Sequence, residues 1–137
     1  MLRKLSTAST VVAAAAMLGF STLPAAAATT AHPKVHNFTI PRVVGISAWG
    51  SYYAAGNKVH VTVCVKETAP NVAFALASGV AFANSTSHSQ QVVAQILGRG
   101  KAVCRSMTTK DTSHLYVQAS SGTTDGHLHF GKLKRLY

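Results

Sequence analysis

Few groups in this 137-residue chain can carry covalent, acid–base or metal chemistry. They are two cysteines, three carboxylates and seven histidines. Cys64 and Cys104 form an even pair without CxxC spacing. The expected use of such a pair is one structural disulfide closing a loop of about 41 residues. That bond leaves no free thiolate nucleophile. The carboxylates Glu67, Asp111 and Asp125 are scattered along the sequence. Most hydrolases need paired or supporting acids, and the spacing offers none. The nearest approach to a nucleophile elbow is Gly45-Ile46-Ser47-Ala48-Trp49, where Trp49 occupies the position that requires glycine. The expectation is a protein that is not an enzyme, has no catalytic residues and acts by binding.

The histidines open a metal alternative. His127 and His129 share one side of a strand, and Asp125 lies two residues earlier. If processing left His32 at the N-terminus, its amine and imidazole would chelate Cu(II), with Asp125 and His127 completing the site. The segment His32-Pro33-Lys34-Val35 and the late Asp125-x-His127 are similar to the two ends of copper-resistance proteins of the CopC type. Those proteins are small secreted β-sandwiches. The resemblance implies copper as the cofactor, held by His32, Asp125 and His127. The leading reading has no cofactor and leaves the histidines on the surface.

Trp49 and Tyr53 share their parity with Ser47 and Ser51, which predicts an aromatic face flanked by hydroxyls. Such a face suits stacking on sugar rings. The competing use of the single Trp is core packing beside the disulfide. The cations fall into two groups, Arg99, Lys101 and Arg105, then Lys132, Lys134 and Arg135. If the fold joins them they make one patch for an anionic cell-wall polymer or glycan. No nucleic-acid-binding motif accompanies them.

The elements that must position these residues read as β-strands, because period-2 alternation dominates after residue 40. In Lys58–Lys66, Val59, Val61, Val63 and Val65 share the inward face, and either Cys64 points the other way or the strand twists near it. Val43–Tyr53 is a strand joined to it by an Ala54–Asn57 turn. Val72–Ala83 follows, with a break or bulge expected at Gly79. In Gln91–Leu97 strand and short helix compete. Lys101–Met107, His114–Ala119 and His127–Leu136 complete about seven strands. The expected fold is all-β, an antiparallel immunoglobulin-like β-sandwich over residues 41–137 with one disulfide.

Residues 1–28 read as a secretory signal peptide. Arg3 and Lys4 precede an alanine- and valine-rich core, and Ala26-Ala27-Ala28 supplies a small-residue cleavage site. No later run has the length of a membrane span. Residues 29–40 read as a flexible N-terminal arm containing Pro33. The full chain carries a formal charge of +10, and removal of Arg3 and Lys4 leaves eleven basic residues against three acids. The basicity therefore belongs to the exported part.

The signal, the Thr-rich strands and the single Cys pair resemble small secreted proteins of unknown function from filamentous actinobacteria. The resemblance implies export and brings no catalytic residues. The leading expectation is a secreted cationic sandwich binding the cell envelope. A copper-binding protein is one alternative. The other is a secreted inhibitor or partner-binding protein using a loop such as Asn84–Gln90.

Overall fold

The computed structural model describes residues 31–83, 89–97 and 100–137. The signal segment 1–28, the loop residues 84–88 and Arg99 lie outside the described residues. Nine strands are described: β1 His36–Thr39, β2 Ile46–Ala55, β3 Lys58–Glu67, β4 Val72–Ala83, β5 Ser89–Leu97, β6 Val103–Thr108, β7 Thr112–Thr123, β8 Leu128–Phe130 and β9 Lys134–Arg135. They form two antiparallel sheets. Sheet A has the order β1-β2-β3-β6, and sheet B has β5-β4-β7-β8 with β9 also paired to β7.

The sheets stack around one core. From β3, Val59, Val61, Val63 and Val65 are almost fully buried. They face Ala75, Ala77 and Ala81 of β4 and Leu115, Val117 and Ala119 of β7. Small residues on β4 suit this arrangement because the β3 valines already fill the space. Gly79 is the extreme case. It stays in register with Val92 and Val117, and a Cβ there would lie 3.2 Å from Val92 and 3.5 Å from Val63. The expected break at Gly79 is therefore corrected to a close approach of sheets. The register shifts of β4 fall at Val72/Phe74 and Phe82/Ala83.

Three other expectations change. Within the arm, His36–Thr39 is a strand, paired to β2 and anchored by buried Phe38 and Ile40. Two apolar residues at period two are enough here because Gly50 opens room for the Phe38 ring. The strand expected from Val43 starts at Ile46, after a turn at Gly45 with φ 75°. It runs to Ala55 and returns through the two-residue turn Gly56-Asn57, with φ 63° at Gly56. The count of about seven strands becomes nine, partly because the last strand splits. Ser120 pairs Phe130 and Tyr116 pairs Arg135, so residues 131–133 bulge between β8 and β9. Gln91–Leu97 resolves as strand, within β5.

Cys64 and Cys104 are bonded, directly opposite each other on β3 and β6 with Cα atoms 4.1 Å apart. The bond lies on the outer face of sheet A, since Cys64 alternates with the buried valines. A buried hydroxyl closes the same edge at its other end. Thr109 donates to the Val59 carbonyl at 3.0 Å and accepts from the Val59 amide at 2.9 Å.

Candidate functional site

The outer face of sheet A collects the aromatic and hydroxyl side chains. Register fixes its rows: Thr39, Trp49, Cys64 and Cys104 in one, Asn37, Ser51, Thr62 and Ser106 in the next. A third row holds Tyr53, His60 and Thr108. Trp49 is half-buried on this face beside the disulfide and is not part of the core. Four residues of strand separate it from Tyr53, about 13 Å. The Tyr53 ring stacks on His60 with centroids 4.4 Å apart and planes at 17°. Thr108 bonds His60 Nδ1 at 2.8 Å, and the Thr62 and Ser106 hydroxyls meet at 2.7 Å. These contacts fix the imidazole and its aromatic partner.

Two hollows lie on this face and a groove opens beside it. One of about 350 Å³ lies among Ser51, Tyr53, His60 and Ser106. One of about 400 Å³ lies between Trp49 and Asn37. A groove of about 970 Å³ begins at Thr39 and Trp49 and continues along the 41–45 loop past exposed Arg42 to Thr68. Lys58 and Lys66, both exposed, end the outer row of β3.

No carboxylate stands on this face. Glu67 continues the inward row of β3, with both carboxylate oxygens closed off and without a hydrogen-bond partner among the described residues. Asp111 accepts from the Asn57 side chain at the β6–β7 turn, where its φ is 47°. Asp125 contacts His127 Nδ1 at 3.0 Å in the β7–β8 turn. The Thr123 hydroxyl, then the His127 ring, hold its carboxyl down at about 2.

The two cation groups are not brought together. Lys101 and Arg105 belong to the β6 edge, which packs beside β5. Lys132, Lys134 and Arg135 follow the opposite edge, where Lys134 Nζ donates to the Thr39 carbonyl at 3.0 Å. Arg105 stands between Val103 and Met107 at an inward position of β6, yet its side chain is exposed and bonds the Cys104 carbonyl. His32 is exposed in the coil before β1. It does not join Asp125 and His127, because no three His, Cys, Asp or Glu side chains gather as a metal group among the described residues. Among those residues no helix is long and apolar enough to cross a membrane.

The sequence placed Trp49, Ser51 and Tyr53 on one face but left His60, Thr62, Ser106 and Thr108 unassigned to a site. The signal was present in the alternation of β3 and β6. What joins them is the pairing of β2, β3 and β6, and register between distant strands is not written in local periodicity. No family model, curated protein or solved structure matches the chain.

Proposed function

We propose that this is an exported, non-enzymatic domain that binds a carbohydrate polymer of the cell envelope across the outer face of sheet A. One observation carries the reading: Trp49 and the Tyr53–His60 stack lie on one flat, hydroxyl-lined, carboxylate-free face. Aromatic faces take the apolar faces of sugar rings, and fixed hydroxyls take their ring oxygens and hydroxyl groups. Lys58, Lys66 and Arg42 favour a glycan bearing phosphate or carboxylate. Export rests on the signal-like residues 1–28.

The architecture reads as immunoglobulin-like once β1 is set aside. The order β2-β3-β6 opposite β5-β4-β7-β8 corresponds to A-B-E opposite C′-C-F-G. The disulfide differs, joining neighbours within one sheet rather than bridging two. In such a scaffold the sheet face, not an end loop, presents the ligand platform.

Pelleting of the secreted protein with purified cell-wall glycan tests the reading. Trp49→Ala and Tyr53→Ala each weaken binding by about tenfold, as centrally placed aromatics do. Both side chains stand outside the core, so the melting temperature moves little. A double variant that pellets like the parent removes the platform from consideration. Binding unaffected by added salt removes Lys58, Lys66 and Arg42 from it.

A further inference from the structure

The opposite face of the molecule has a different composition. On β4 the small residues point inward, while Phe74, Leu76, Val80 and Phe82 point outward. Val93 and Leu97 of β5 and Leu128 and Phe130 of β8 extend the same outer face. Phe130 is 72% exposed, Leu128 and Leu133 are each 59% exposed, and Phe82 is 40% exposed. Between Val80, Phe82, His114, Tyr116 and Leu133 lies an apolar hollow of about 510 Å³. Ser78, Gln91, Gln95, Gln118 and Ser120 stand among them on this face. Exposed apolar side chains grouped around such a hollow mark an interaction surface.

Charge decides what covers it. The strands of sheet B contain no Asp or Glu. Cations stand beside the exposed apolar residues: Lys132 between Phe130 and Leu133, and Arg135 opposite Tyr116. A second copy placed here would bring the Lys132 and Arg135 cations together, and the carboxylate beside the face, Asp125 in the β7–β8 turn, is already engaged by Thr123 and His127. An anionic bilayer answers every charge and takes the apolar side chains below its headgroups.

We propose that the outer face of sheet B docks on an anionic lipid bilayer. Phe130, Leu133 and Phe82 enter the boundary between headgroups and acyl chains, and Lys132 and Arg135 meet the phosphates. The face is separate from the glycan platform, so the molecule has one adhesive side for lipid and another for polymer.

Flotation of the full secreted chain with vesicles tests this, using phosphatidylcholine alone and phosphatidylcholine with added phosphatidylglycerol. The parent floats with the anionic vesicles and much less with the neutral ones. Phe130→Ser with Leu133→Ser lowers partitioning at least tenfold by removing apolar surface. Lys132→Glu with Arg135→Glu lowers it by a similar factor and removes the preference for anionic lipid. All four side chains sit at the surface or edge, so circular dichroism shows an unchanged fold. Trp49→Ala leaves flotation intact, whereas it weakens glycan pelleting by about tenfold, so either reading can fail alone. Equal flotation of parent and Phe130/Leu133 variant overturns the proposal. So does a parent that sediments as a dimer which the same variant makes monomeric, because the face is then a protein contact.

Discussion

Replacing both cysteines by serine gives the sharpest test of how the sheet A platform is held together. Cys64 and Cys104 are direct partners across β3 and β6, separated by 40 positions in sequence. Closing a loop of that length restricts the unfolded chain by about 4 kcal/mol. The native side loses little, because Cys104 is exposed and serine fits the outer face beside Cys64. For a domain of this size the loss lowers the melting temperature by roughly 15–20 °C. The assay is thermal unfolding by circular dichroism for the parent, the reduced parent and Cys64→Ser/Cys104→Ser. Trp49 is the cross-strand neighbour of Cys64, so its fluorescence reports the same bond. A disulfide quenches an adjacent indole, and intensity rises on reduction before the chain unfolds. If the serine variant melts within about 1 kcal/mol of the parent, the register of β6 holds without the cross-link and the entropic argument fails.

Thr109→Val strands the Val59 amide that the hydroxyl now accepts from, and costs about 1–3 kcal/mol in urea unfolding. A loss below half a kcal/mol would show that water replaces the hydroxyl. Gly50→Ala puts a Cβ 2.0 Å from the Thr62 carbonyl and 2.6 Å from the Phe38 ring, so β2 must shift. The expected cost is about 1–3 kcal/mol, with early hydrogen exchange of the β1 amides, and an unchanged β1 would contradict it. Asp125 titrates near 2 in the folded protein against an ordinary 3.8. A lowered folded value means that its contribution is complete above about 3.8 and vanishes as pH falls toward 2. The melting temperatures of parent and Asp125→Asn therefore differ at neutral pH and converge near pH 2. An NMR midpoint for Asp125 at or above 3.8 counts against the Thr123 contact.

Local alternation carried the reading where one face of a strand is plainly inward. The β3 valines were legible for that reason, while the Ala54–Asn57 turn narrows to Gly56-Asn57 once Ala54 and Ala55 pair with β3. It failed where both faces are apolar. In Gln91–Leu97, Val92, Ala94 and Ile96 enter the core while Val93 and Leu97 stay on the exposed outer face. Period two is blurred there, and helix competed with strand. The same double apolarity that obscured the strand marks the unusual outer face of sheet B. β1 was missed because its exposed positions follow directly on the Pro33 coil and only Phe38 is buried within it. The β2 members of the site, Trp49, Ser51 and Tyr53, were legible from alternation. Its assembly depended on β6, which reaches β3 from the far side of the β4–β5 hairpin.

The cations make the same point about pairing. Read along the sequence, Lys101 to Arg135 look available for one patch, but the sheet order sends them to opposite edges. β6 ends sheet A with Arg105 in a row that otherwise turns apolar residues inward, and β9 runs along the other side with Lys134 and Arg135. An open edge offers unpaired amides and carbonyls to any other strand, and charge placed along it makes such pairing unfavourable. That role fits Arg105, whose side chain reaches only its own backbone neighbour. With the edges defended and the acids turned inward or into turns, the unguarded surfaces are the two broad faces. One is aromatic and hydroxylated, the other apolar with cations beside it. On β4 the alanines face the β3 valines that fill the core, and the larger apolar residues therefore lie outward.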